Sequence, residues 1–360
     1  MRDNDCDNDD SRLARRRGNN RGKQRPRSGR GENTQRSQPR REAQTLLAMA
    51  AAACAAILGL ASPGRPAPIT FITALPVAQD QAVTRFYMDP HHVSDENEPF
   101  DENLWNLSFP ATLAWGPTAR LAIFVTGTPE YDFIHQNLSS GQRVYRSASG
   151  FGDTVGFARY TLYSKDWIGG TFREDPLIGL YLPTGWYNKS DIYGRLPEVM
   201  QNGSGSVAPY IGNVILWKNF DYEFDHDITF RSNPAASSGY QEGDAFRTDA
   251  ALYVRVYPWV LPDTGLNDQL WVGVETNLAW NGKSEISGNI DNATGGWEWD
   301  IDPGIFLGTP FWTTGAALQL PAWQDLYGPS RLYGGWRLYL YFEYYWIMPS
   351  LPESVRRWLP

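Results

Sequence analysis

Between Val83 and Trp346 the chain breaks into about twelve short segments of alternating residues, and their connections run long, short, long, short. That rhythm constrains the fold more than any single motif does. An antiparallel barrel that crosses an outer membrane keeps tight turns on its periplasmic side and longer loops outside. A soluble sandwich has no physical reason to gather its long loops at one end. Short connections are predicted at 116–119, 164–170, 218–221 and 308–311, with a moderate one at 258–268. The long ones fall at 89–103, 131–153, 187–205, 232–245, 282–296 and 322–330. With a first strand near Val83–Met88 the count is twelve, an even number that puts both ends of the barrel in the periplasm.

The segments themselves carry two faces. In Arg331–Trp346, Trp336, Leu338, Leu340, Phe342, Tyr344 and Trp346 alternate with Arg337, Tyr339, Tyr341, Glu343 and Tyr345. Such period-2 alternation signals a strand with one apolar and one polar side. In 269–281, Leu270, Val272, Val274, Leu278 and Trp280 oppose Glu275 and Asn277. In 246–257, Leu252, Val254 and Val256 oppose Arg247, Asp249, Tyr253, Arg255 and Tyr257. In 222–231, Tyr222, Phe224, Ile228 and Phe230 oppose Asp225, Asp227, Thr229 and Arg231. Residues 104–116 are read as one strand, with Trp105, Leu107, Phe109, Leu113 and Trp115 against Asn106, Ser108 and Thr112. Segments 154–163 and 206–217 do not separate cleanly into two faces.

A sandwich also alternates, so the aromatics decide. They gather at strand ends (Trp105, Trp115, Trp280, Trp297, Trp299, Trp346), as two interfacial girdles require. Fifteen Trp and 19 Tyr suit side chains with one wet and one apolar end. The mean hydropathy of -0.45 excludes a helical membrane bundle but not a barrel, whose strands give half their residues to a polar lumen.

Residues 1–44 carry a net charge of +6, leaving -14 for the remainder, and contain almost nothing to bury; a disordered basic leader is expected. Thr45–Ala61 is an apolar, Ala-rich run behind Arg40-Arg41, the pattern of an export signal, with cleavage expected after Ala61. Residues 45–82 are thus read as signal segment and linker, 83–346 as the barrel and 347–360 as a tail. The two cysteines, Cys6 and Cys54, precede the strands, which excludes a disulfide framework in the barrel.

Several pieces in order resemble the meta-pathway phenol-degradation family of outer-membrane barrel proteins. They are WGPTARLAIFV (115–125), GFGDTVGFARYTLY (150–163), LYLPTG (180–185), AFRTDAALYVRVYP (245–258), DIDPGIFLG (300–308), ALQLPAWQDLYGP (317–329) and YGGWRLYLYFEYYW (333–346). The resemblance covers most of 104–346 and rests on order and spacing rather than on any one piece. It implies an outer-membrane barrel of a Gram-negative envelope that passes hydrophobic or aromatic compounds. It carries over no catalytic residue. The chain departs from the pattern in its Arg-rich leader and in the tail after the final aromatic strand, where the barrel-assembly machinery reads its insertion signal.

The candidate lumen-lining residues are Asp225, Asp227, Arg231, Arg247, Asp249, Arg255, Glu275, Arg337 and Glu343, joined on the same parity by Glu298 and Asp300. They form either a charged, solute-selecting channel or a structural network that fills a narrow barrel. His226 falls on the lipid side, where a lipid hydrolase would need a hydroxyl nucleophile beside it; Ser232 lies too far along the strand. His91 and His92 with Asp89, Asp95 and Glu96 have metal-ligand chemistry, but an acidic external loop of solvated carboxylates is the ordinary outcome. Glycines at 150, 152, 203 and 205 precede strands, with no helix behind them to bind phosphate. The expected function is a passive channel, not an enzyme, for a small apolar or aromatic solute, with outer-membrane lipid around it, no cofactor, no metal and no nucleic acid. The alternatives are a plugged structural or adhesive barrel and, more remotely, the lipid hydrolase.

Overall fold

The computed structural model describes residues 67–95, 102–138, 140–261, 268–327 and 333–356. The leader, the export segment and its cleavage position lie outside the described residues. The strands form one closed antiparallel barrel of twelve. In chain order β1 is Gln81–Asp95, and β2 runs through Glu102–Ser108 and Ala111–Gly116. β3 runs through Leu121–Gly127 and Pro129–Asn137, and β4 through Arg143–Phe151, Thr154–Tyr160 and Tyr163–Trp167. β5 is Gly170–Leu182, β6 Ala208–Asn219, β7 Tyr222–Arg231 and β8 Ala245–Tyr257. β9 is Gln269–Asn281, β10 Gly296–Gly308, β11 Trp312–Leu326 and β12 Tyr333–Ile347. Each pairs with the next, and β12 returns to β1 from Gln81↔Ile347 to Ser94↔Tyr333, so no barrel edge is left open.

Burial settles which face is which. Leu113, Ile178, Leu340 and Phe342 are exposed on the outside, whereas Arg85, Glu275 and Glu343 are fully buried within. A soluble two-layer protein has the opposite arrangement. Outward aromatics form an upper ring with Trp280, Trp297, Trp299 and Trp323 and a lower one with Trp115, Tyr222, Trp312 and Trp346.

The strands are longer and more broken than the pattern alone predicts. β1 continues to Asp95, so the expected loop over 89–103 shrinks, and His91 and His92 point to opposite faces. His92 lies outside against Trp105, the ring centres 4.6 Å apart and the planes tilted by 46°. Among the described residues no group of three His, Cys, Asp or Glu is placed to hold a metal. Residues 104–116 are not one continuous strand: Pro110 has no N–H for the ladder, and the strand breaks there, although Phe109 N still donates to the Pro129 carbonyl and the Pro110 carbonyl accepts from Tyr87 N, each at 2.9 Å. The expected loop over 131–153 is largely a hairpin of β3 and β4 rising beyond the rest of the wall. The expected turn at 164–170 narrows to Ile168-Gly169, where Gly169 takes φ 83°, a left-handed conformation that suits glycine. A register shift between Arg255 and Tyr257 turns Tyr257 outward, contrary to its parity with Arg255.

Inside, bulky rings sit over glycines. A Cβ on Gly273 or Gly304 would lie 2.5 Å from the Tyr253 ring or hydroxyl, so those positions have room only for hydrogen.

Candidate functional site

The interior holds a part of the chain that sequence reading treats as a linker. Residues 67–80 run through the lumen, with a 3-10 turn at Ile72–Ala74, and Ile69, Phe71 and Leu75 are buried. This segment joins no sheet, so its backbone groups must find partners on the wall. Glu275 accepts from Ile69 N at 2.5 Å, Thr70 N at 2.7 Å and Thr70 Oγ1 at 2.5 Å. Arg85 donates to the Pro68 carbonyl at 2.7 Å and Tyr87 to the Ile69 carbonyl at 2.8 Å. Arg159 donates to the carbonyls of Thr73 and of Leu75, the latter at 2.9 Å, and the Thr73 hydroxyl donates to Asp227.

The predicted lumen residues all lie on the inner face. Glu275 and Asp227 hold the inner segment as above. Glu343 pairs with Arg85 at 2.5 Å, both fully buried, and the guanidinium lies 4.7 Å from the Tyr341 ring centre. Arg337 grips Asp89 with two hydrogen bonds, one of 2.7 Å. Arg247 donates to both oxygens of Asp249, at 2.8 and 2.6 Å, and also to Asn277. Arg255 binds low in the barrel, donating to Phe220 O at 2.8 Å, Pro258 O and Asp221. Arg231 lies at the upper end, bonded to Glu242 at 2.8 Å. Asp225 is buried against Lys218, Glu223 and Arg159 around a cavity of about 50 Å³ beside Ala74 and Val77, and its Oδ2 has no hydrogen-bond partner. The nine residues do not converge on one point; they are spread over the height of the lumen, many of them around the inner segment.

An aromatic strip lines another part of the wall. Phe124 and Phe157 stack at 4.4 Å, with Tyr210 edge-on to Phe157 and Tyr181 edge-on to Tyr210.

Above, the long loop 183–207 folds onto the inner side of the tall hairpin. Leu196 and Met200 pack on Leu104, Ile134 and Ala148. Arg146 forks onto Asp191 at 2.8 and 2.9 Å and donates to the Gly194 and Arg195 carbonyls. Asn202 donates to Glu130 and Asp132 at 3.1 and 2.9 Å. The Arg146 hydrogen bonds hold the Asp191 carboxyl below the usual carboxylate range. Its contribution to holding the loop is therefore complete above the ordinary Asp range and fades only as pH falls through the lowered value. Hydrogen exchange over 189–202 should stay slow from neutral pH down to about pH 4 and quicken below it. Arg146→Ala should make it fast at neutral pH and remove the step.

Sequence reasoning missed the inner segment, Arg85 and Arg159. The available signal was the alternation of Ile69, Phe71, Thr73 and Leu75 ahead of the first strand. On the outer wall, His226 bonds Thr248 at 3.0 Å, and Ser232 is engaged elsewhere through its backbone.

No family model matches the chain, and none of the curated proteins does. Among solved structures it is similar to the COG4313 outer membrane channel from Pseudomonas putida F1, at 15% identity and a TM-score of 0.55, covering 78% of this chain and 100% of that one. The Bordetella autotransporter BrkA beta domain (11% identity, TM-score 0.38, 74% and 99% covered) is more distant. So is OprD of Pseudomonas aeruginosa (7%, 0.27, 75% and 95%). The first likeness agrees with the closed antiparallel barrel: this chain has the fold of an outer-membrane β-barrel.

Proposed function

We propose that the protein is a passive channel of a Gram-negative outer membrane, non-enzymatic and cofactor-free, that admits small aromatic solutes and favours cations among them. The observation that carries this reading is the composition of the enclosed lumen. Among the described residues, leaving aside Asp132 and Arg146 of the tall hairpin, ten carboxylates are buried against three arginines, and the half-buried Lys218, Arg231, Arg247 and Arg337 do not redress the excess. Acid-lined constrictions favour cations. Of the aromatic strip, Phe124, Phe157 and Tyr210 are buried, and half-buried Tyr181 is the ring a solute can meet; the Arg231 guanidinium 4.7 Å from its centre is the kind of cation its face takes. The inner segment favours a second reading, a structural barrel kept full.

Flux into proteoliposomes separates the two. Benzyltrimethylammonium, which does not cross lipid unaided, should enter faster than benzenesulfonate by about 10-fold. Equal rates, or no flux of either beyond that of empty liposomes, would refute the cation-selective channel.

A further inference from the structure

The outer wall carries a groove in the surface that faces lipid, mostly apolar in its lining but holding a few polar groups. It lies across β7, β8, β9 and β10 and encloses about 360 Å³, with Ala250, Thr248 and Thr276 as its floor and His226, Trp299 and Trp323 among its walls. Its depth follows from the register. Thr248 pairs across to Leu278, and Leu278 to Trp299. The next outward row toward the cell exterior is Phe230, Phe246, Trp280 and Trp297. Two residues along a strand span about 6–7 Å. The groove therefore sits at the lower edge of the outer aromatic ring, where the chains of outer-leaflet lipids leave their headgroups.

Its hydrogen bonds form two matching relays. The Thr248 hydroxyl donates to the Asp227 carbonyl at 2.9 Å, and the Thr276 hydroxyl to the Asp300 carbonyl at 2.9 Å. Each hydroxyl has one proton, now committed, so each can only accept from its ring partner. Trp299 Nε1 donates to Thr276 at 2.6 Å. By the same logic the contact of 3.0 Å between His226 Nε2 and Thr248 has the ring nitrogen as donor. The indole is then satisfied, but the neutral imidazole is not. Its Nδ1 is an acceptor, and no described residue donates to it. Hydrocarbon cannot donate either, and an unmet acceptor at membrane depth is costly.

We infer that this groove binds a hydroxylated acyl chain of an outer-leaflet lipid, whose hydroxyl donates to His226 Nδ1. Two features fit an alkyl chain of any kind, and a third selects a hydroxylated one. The floor of Ala250 leaves width for an alkyl chain against the wall. Trp299 and Trp323 flank it with apolar ring surface. The single open acceptor lies near the headgroup end of the leaflet, the depth of a hydroxyl close to an acyl carbonyl. The site is on the barrel's exterior and uses no lumen residue, so it stands or falls apart from the channel reading.

The test is lipid retention by the full-chain protein. It would be reconstituted in vesicles holding equal amounts of phosphatidylcholine with a 3-hydroxymyristoyl chain and the same lipid with plain myristoyl, and the lipid carried into mild detergent would be counted by native mass spectrometry. One neutral hydrogen bond contributes about 0.5–1.5 kcal/mol, so the hydroxylated lipid should be retained roughly 2- to 12-fold over the plain one. His226→Phe should bring the ratio to about one while leaving the barrel heat-modifiable on a gel. Ala250→Leu, which fills the floor and keeps the surface apolar, should reduce retention of the hydroxylated lipid with His226 intact. Equal retention of the two lipids by the unaltered protein, a preference that survives His226→Phe, or retention unaffected by Ala250→Leu would each overturn the assignment.

Discussion

Glu275→Ala is expected to turn a channel that opens rarely and briefly into one that conducts for long periods. That carboxylate accepts from two backbone amides and one hydroxyl of the inner segment, and from Tyr253 at 2.5 Å. Hydrogen bonds to a charged group contribute about 1.5–3 kcal/mol each, and the segment loses three at once. Even a total loss of about 3 kcal/mol tilts the balance between seated and released segment by roughly 100-fold. Planar-bilayer recordings should show long open events in the variant and rare brief ones in the unaltered protein. Glu275→Gln, which keeps an acceptor oxygen, should fall between them. An Ala variant that opens no longer and no more often than the parent would mean that residues 67–80 do not control passage.

Arg85→Ala should produce the largest loss of stability of any single lumen substitution. Arg85 and Glu343 are both fully buried at 2.5 Å, and the same guanidinium donates to Pro68 O and to Tyr87. Removing one partner of such a pair leaves an uncompensated buried charge and costs about 3–5 kcal/mol. Urea unfolding from lipid vesicles, followed by Trp fluorescence, should show the midpoint fall accordingly. The double variant Arg85→Ala with Glu343→Gln should recover much of that loss, because no stranded charge remains.

The alternation that defines β7, β8, β9 and β12 made the wall readable, because a lipid-facing strand has to place its apolar residues at every second position. Where that rule breaks, reading breaks with it. Pro110 interrupts β2, and a bulge beside Tyr257 reverses a face, since parity holds only while each residue opposes one partner. The inward direction of Asp225, Glu275 and Glu343 followed from parity, but their partners did not. Glu275 meets Ile69 across 206 positions of chain, and Arg85 meets Glu343 across 258. No local pattern encodes such separations. The inner segment was illegible for a related reason: its backbone is satisfied by side chains of the wall, and it lacks the ladder whose period a sequence displays.

The junction of β1 with β12 carries two of the ion pairs, Arg85 with Glu343 and Arg337 with Asp89, each joining the first strand to the last. Both must therefore wait until translation and insertion have brought the final strand home. Contacts this remote in sequence are intrinsically slow to form. Residues 67–80 lead directly into β1, so they have to lie within the curling sheet before that junction zips. The cylinder is sealed around its own contents, and the last bonds made in assembly are those that lock them in.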